Sequence, residues 1–273
     1  MTIDCLLHVH SSFSYDSRMD LADIVRTARR HGYRAVLMSE HNNRMTLEDM
    51  AAFVRRCDEL SDERLLVIPG LELAFDNNQV HLLAYGVRSY IDSTHAGCTF
   101  KSLIDDVRRA DGVAVLAHPS HRRGIDRLTP DDCDDLDGIE IWNVKNGNRF
   151  VPTAADVRVL QRVRDRGGRP VAFAGVDWHH LVRFSPLVVR LDAPEVTPRG
   201  VLESLRAGRF VVRGAFARVA STGRIPRSRV AAYELISTAI AGTRRVAYRW
   251  QGNLERRGFR TPRVLAAVAR RLF

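Results

Sequence analysis

His8 and His10 stand one residue apart at the end of the apolar run that starts the chain, in "LLHVHSSFSYDS" at residues 6–17. Imidazole nitrogen is a ligand for zinc, manganese and iron, and side chains two positions apart on an extended segment face the same side. An isolated H-x-H is weak evidence, because strand histidines also face water. The pattern gains weight further along, where His41, Glu72, His81, His118, Asn143, Asp177 and His179 fall at or near the ends of strand-like segments. Six of the ten histidines belong to this set, so chance placement is the weaker explanation. The "DWH" at 177–179 repeats the two-apart spacing. A carboxylate such as Glu72 has two oxygens with which to bridge cations held roughly 3.5–4 Å apart. His31, His95, His121 and His180 are read instead as solvated or hydrogen-bonded residues.

Such residues need a scaffold that gathers many strand ends in one place. Apolar spacing predicts strands over 3–10, 34–41, 65–75, 80–87, 113–119, 138–143, 170–177 and 186–193. Helices are expected over 21–31, 47–60, 100–110, 154–166 and 198–206, and "DNNQ" at 76–79 reads as a hairpin turn. Repeated βα units with apolar strands indicate a parallel barrel or a doubly wound sheet. Polar residues close nearly every strand instead of clustering at one switch point, which favours a barrel.

Bulk composition bounds the rest. The chain has 273 residues, 45% hydrophobic and 27% charged, as expected of a globular protein. No apolar run reaches the roughly 18 residues of a membrane span, and no signal peptide fits, so a cytoplasmic location is expected. Cys5, Cys57, Cys98 and Cys133 are scattered without a metal spacing and read as reduced, mostly structural thiols. The net charge of +10 divides unevenly. Residues 218–273 hold 13 Arg, no Lys and two Glu, leaving residues 1–217 near neutrality.

The stretches "HVHSSFSYDS", "MSEHNN", "IPGLELAF…VHLLAYGV", "VAVLAHPS", "GIEIWN" and "AGVDWH" resemble, in order, the motifs of the polymerase and histidinol phosphatase (PHP) family. The resemblance covers roughly residues 3 to 215. It implies a distorted (β/α)7 TIM-like barrel over residues 1–217, with two or three divalent metal ions (Mn, Zn or Fe) at its mouth. It also implies three ligand sets. His8, His10 and Asp177 would hold one metal, and Glu72 would bridge to a second completed by His81 and His118. Asp16, His41 and His179 would form a third site. Asp177, His179 and Glu72 are the implied catalytic residues, and the choice between Asp177 and a cluster histidine as proton relay stays open. Some positions depart from the commoner pattern. Asp16 falls one residue late, Glu40 replaces an aspartate, Trp178 is bulky for its place, and Asn143 replaces a histidine of some members.

The family's usual chemistry is phosphoester hydrolysis by metal-activated water. Arg44, Arg122, Arg123 and Lys145, with Arg149, lie on loops after strand ends and are candidates to bind substrate phosphate, although in so Arg-rich a chain the ordinary reading of each is a solvated surface residue. The expected substrate is a small phosphorylated metabolite or nucleotide. A carboxylic ester, amide or carbamate is the alternative, and a metal-holding scaffold or sensor using the tail is the second. The basic tail, 218–273, is expected to carry helices over 229–242 and 263–273, joined by 243–262. Its ordinary reading is an apolar face docked on the body with arginines in water. Weak contact with an anionic surface stays open, and sequence-specific nucleic-acid binding is not expected.

Overall fold

The computed structural model describes residues 1–181, 184 and 187–256. Strand β1 (Thr2–Val9) is followed by α1 (Leu21–Arg30), β2 (Ala35–Met38), β3 (Glu40–His41), α2 (Leu47–Leu60), β4 (Leu66–Ile68), β5 (Gly70–Phe75), β6 (Val80–Tyr85), α3 (Phe100–Arg109) and β7 (Val113–Leu116). Two 3-10 turns follow, at His121–Arg127 and Asp131–Cys133. The chain then forms β8 (Gly138–Asn143), α4 (Ala154–Asp165), β9 (Val171–Gly175), β10 (Val188–Asp192), α5 (Pro198–Arg206), β11 (Phe210–Arg213), β12 (Arg218–Ala220) and α6 (Arg227–Arg256).

The helices start where side chains can satisfy their first N–H groups. Asp20 accepts from the Ala22 N–H at the head of α1, whose buried Leu21, Ile24, Val25 and Ala28 form one apolar stripe. Thr46 with Asp49 and Thr99 with Ser102 build reciprocal caps on α2 and α3. Thr197 caps α5 and Pro198 opens it, where a missing N–H costs nothing.

The mixed α/β class holds, but the strands do not close into one ladder. Among the described residues they form two six-stranded sheets, ordered β12-β11-β10-β1-β2-β4 and β3-β5-β6-β7-β8-β9. Nor is the pairing uniformly parallel. The β5-β6-β7 and β1-β10-β11-β12 runs are antiparallel. The expected strands at 34–41 and 65–75 each break, at Ser39 and Pro69, and pass from one sheet to the other. Pro69 has no N–H to continue a ladder. Gly70 permits the crossing, since a Cβ there would lie 2.5 Å from the Met38 carbonyl oxygen. On the opposite side, backbone bonds join the sheets: Val176 N–H to Leu7 O at 3.0 Å and Trp178 N–H to His8 O at 3.1 Å. The expected hairpin at Asp76, Asn77 and Asn78 has three positive φ angles, a conformation that Asp and Asn tolerate best after glycine.

The antiparallel course of β6 explains an otherwise odd placement. His81 lies at the start of its strand, yet reaches the same rim as residues at the ends of parallel strands.

Helix α6 is longer than expected. The segment at 243–256, read from sequence as a connector, continues the helix; it contains no proline, and the next one is Pro262. The helix expected at 263–273 lies outside the described residues. Val230 and Tyr233 are buried, Asn148 Nδ2 donates to Ser237 Oγ at 3.1 Å, and Arg158 pairs with Glu234. The start of α6 is thereby fixed against α4. Strand β12, just past the expected division at residue 217, pairs with β11.

Candidate metal centre

The rim is shaped by residues in a backbone conformation that most side chains avoid. His8, His118 and Asp177 have φ of 62°, 27° and 51°. Leu7 pairs with Leu37 and Val9 with Met38, so His8 is the extra residue of a bulge. The bulge leaves the His8 and His10 rings 5.2 Å apart, both fully buried. A second bulge, at Ile141, puts Glu140 and Asn143 on the same side of β8, and Asn143 Nδ2 donates to Glu140 Oε2 at 2.9 Å.

Glu72 is the hub. Its carboxylate receives His81 Nδ1 at 2.6 Å, His118 Nε2 at 3.1 Å and His8 Nε2 at 3.3 Å. His10 Nε2 and His41 Nδ1 stand 3.2 and 3.5 Å away. Three groups of ligand atoms converge within 4.8 Å: His8 with His10 and Asp177, His8 with Glu72 and His118, and His10 with His41 and His179. Two expected ligands sit at the margin. His81 has its ring nitrogens taken by Glu72 and Asn78. Asp16 is partly exposed, with its oxygens 3.5 Å from His41 Nε2 and 3.2 Å from His179 Nε2.

Surrounding groups fix how these side chains are turned. Ser14 Oγ donates to Glu40, accepts from the His41 N–H at 3.0 Å, and lies 3.2 Å from His10 Nδ1. With Nδ1 donating to Ser14, the Nε2 lone pair of His10 faces the cluster. Glu40 also receives the Ser11 N–H and hydroxyl, so it braces the loop and stays outside the cluster. Glu140, not anticipated as a site residue, accepts from His8 Nδ1 at 2.9 Å and from the His118 N–H at 3.1 Å. Its signal in the sequence was a lone acid within the apolar "GIEIWN". Asn143 turns its amide N–H toward Glu140 and Asp177, and Asn146 donates to Asp177 Oδ2 at 2.7 Å.

Electrostatics separates the histidines. Burial opposes a charge on His8, but Glu140, Asp177 and Glu72 outweigh it and hold its pKa well above the ordinary value. Burial, with His179 and His41 nearby, holds His10 well below. Burial of Glu72 is likewise outweighed, by His81, His8 and His41, which keep its carboxyl well below the usual range. A cation would replace protons here and satisfy what the protein leaves bare. His10 Nε2, His41 Nδ1 and Asp177 Oδ1 are buried without a hydrogen bond, although Glu72 and Lys145 lie near them. Nitrogen and carboxylate donors with bare atoms aimed at one centre fit Zn, Mn or Fe.

The basic candidates divide. Lys145 Nζ reaches Asp177 Oδ1 at 3.3 Å and His179 Nε2 at 3.1 Å. Arg44 lies 4.6 Å over the Tyr15 ring, which is 5.2 Å from that of His41. Arg122 is exposed, and Arg123 turns to Asp126 at 2.7 Å. His121, read as a bystander, packs its ring 5.5 Å from that of His118, and burial pushes its pKa down to about 4.

Behind the rim, buried Asp156 accepts the Ser120 N–H at 2.7 Å, and burial pushes its pKa up to about 6. Between the ordinary aspartate value and that figure the folded state binds more protons than the unfolded one, so stability falls as pH rises. Asp156→Asn keeps an acceptor and removes the charge. Urea melts of both proteins should show wild type losing up to about 3 kcal/mol relative to the variant across this window. A difference independent of pH would contradict this account of Asp156.

Comparison with known proteins adds a family to this geometry. The PHP domain family matches residues 7–131. An error-prone DNA polymerase of Symbiobacterium thermophilum is 31% identical over 126 residues, 45% of this chain and 11% of the polymerase. The chain thus corresponds to a small part of that relative. A two-domain protein of Bacteroides vulgatus containing a predicted PHP-like metal-dependent phosphoesterase aligns at TM-score 0.59 and 17% identity, over 78% of this chain and 65% of its own. PsfC from Pseudomonas syringae aligns at 0.55 and 14%, over 88% and 99%. A lesion-specific endonuclease from Pyrococcus furiosus aligns at 0.50 and 16%, over 81% and 58%. At these identities the likeness is one of fold. No described helix is long and apolar enough to cross a membrane.

Proposed function

We propose, from the match of residues 7–131 to the PHP domain family, that this chain is a metal-dependent phosphoesterase acting on a small phosphorylated metabolite or nucleotide. The observation that carries this reading is the convergence of His8, His10, Glu72, His118 and Asp177 on one buried centre with bare donor atoms. The backbone bonds from the segment after β9 to β1 support reading the scaffold as an interrupted barrel whose rim is the site.

In this reading His8, His10, Glu72, His118 and Asp177 hold the metal pair, and Asp16, His41 and His179 a third ion. Bound divalent ions would supply Lewis acidity toward phosphoryl oxygens and lower the pKa of a coordinated water. The protein's own groups do the rest. Glu140 and Ser14 hold the His8 and His10 rings in place, as outer hydrogen bonds do at metal sites. Lys145 offers a cation at the mouth, suited to a phosphoryl oxygen. His179 donates from Nδ1 to the Asp177 carbonyl at 3.0 Å, which turns its Nε2 lone pair toward Asp16 and the third ion.

The deciding experiment is metal content by mass spectrometry for wild type and Asp177→Ala, followed by hydrolysis of a phosphoester panel. Two or more ions per wild-type chain, fewer in the variant, and metal-dependent phosphate release are expected. A folded chain that holds no metal would end the proposal. Lys145→Gln should raise KM for the best phosphoester about tenfold or more while kcat changes less, the loss of one charge-assisted contact. An unchanged KM would remove Lys145 from substrate binding.

A further inference from the structure

Helix α6 has one covered face and one bare face. Val230 and Tyr233 are buried against the body, and Ser237 accepts from Asn148 there. Leu235, Ile236 and Val246 are 73%, 41% and 62% exposed. At 3.6 residues per turn, Val246 projects roughly 20° from Leu235 and Ala239 about 40°, with Ile236 at the margin about 100° round, whereas Tyr233 and Ser237 lie roughly 160° away. The aliphatic stripe therefore points away from the surface that holds the helix.

The helix around this stripe is basic in sequence, with no acidic residue between Glu234 and Glu255 and with Arg249, exposed, projecting roughly 40° from Leu235. Glu234 is already paired with Arg158. Apolar residues along one side of a basic helix match a surface that is both anionic and greasy. A nucleic-acid backbone would use the arginines and leave Leu235, Ile236 and Val246 in water. A second copy of the helix would bring Gly242 and Arg249, at the edge of the same stripe, close to their own counterparts.

We propose that α6 lies flat on an anionic lipid surface with Leu235, Ile236, Ala239 and Val246 in the headgroup region. The helix of 30 residues is about 45 Å long, and its exposed stripe begins at Leu235. The proposal stands apart from the hydrolase reading, because it needs no metal and no turnover.

The test uses the full chain and cosedimentation with vesicles of phosphatidylcholine, alone or with about 30% phosphatidylserine. Wild type should bind the anionic vesicles at least about tenfold better than the neutral ones, less so at high salt. Leu235→Glu with Val246→Glu, and separately Arg249→Glu, should lose that binding while metal content and melting temperature stay at wild-type values. All three positions are exposed in the structure, so folding is not at stake. Absence of anionic-vesicle binding by wild type would overturn the proposal, as would undiminished binding by the double variant. Binding to duplex DNA but not to vesicles would assign the tail to nucleic acid instead. A wild-type dimer that the double variant converts to monomer, without vesicle binding, would assign the face to self-association.

Discussion

Glu72→Gln is expected to abolish hydrolysis, with kcat/KM falling by roughly 10³ or more, equivalent to about 4 kcal/mol of transition-state stabilisation. The reason is the crowd around one carboxylate. Nitrogens of His8, His10, His41, His81 and His118 all lie between 2.6 and 3.5 Å from its oxygens. Glutamine is nearly the same size, so the packing survives. It has one acceptor oxygen instead of two, no charge, and an amide that presents hydrogens where a cation is to sit. In the proposed site the bridge between two ions is lost, and their mutual repulsion is no longer offset. Metal content should fall by at least one ion per chain, read by mass spectrometry on protein that keeps its wild-type circular dichroism. Turnover within tenfold of wild type, with unchanged metal, would take Glu72 out of the mechanism.

The residues that carry this argument were legible in the sequence because they are chemically conspicuous. Histidines and acids closing apolar strands need only one-dimensional spacing to be noticed, and the structure brings His8, His10, Glu72, His118 and Asp177 together. What spacing misreads is the way the chain departs from regular strands. Alternation puts Glu140 and Asn143 on opposite faces of β8; the bulge at Ile141 puts them on one, and so Glu140 escapes a reading based on period two. The same limitation joined 65–75 into one strand, because an apolar run does not say which sheet it belongs to. Pro69 was the visible clue to the break. Arg122 and Arg123 illustrate the converse. Their place after "HPSH" suggested the mouth, but both have positive φ and Arg123 turns to Asp126. Loop direction depends on dihedral angles that residue type only weakly constrains. The tail's continuous helix was missed for another reason. Gly242 resembles a stop signal, and only the absence of proline before residue 262 argues against it.

Gly175→Ala should disable the centre by adding a single methyl group. Gly175 pairs with Asn143 across β8 and β9, directly behind the cluster. A Cβ there would fall 2.3 Å from Glu140 Oε1 and 2.4 Å from His8 Cβ. Neither neighbour can step aside cheaply. His8 Cβ is tied to the backbone of a bulged residue at positive φ. The Glu140 carboxylate is held by His8 Nδ1, the His118 N–H and Asn143 Nδ2. The methyl must therefore push on the group that orients His8, or on His8 itself. Overpacking of this kind costs about 1–3 kcal/mol of stability, a loss of a few degrees in melting temperature for a chain of this size. Activity should fall much further, about 10²-fold or more, because a displacement near 1 Å matters more to ligand geometry than to folding. The contrast between a modest thermal shift and a large loss of bound metal is the signature to look for. Gly242→Ala, inside helix α6 where a Cβ meets nothing within 4 Å, supplies the contrast and should leave bound metal unchanged without lowering the melting temperature. If Gly175→Ala keeps its full metal content and near wild-type turnover, His8 is not held by the wall that Gly175 forms, and the positional role given to Glu140 fails with it.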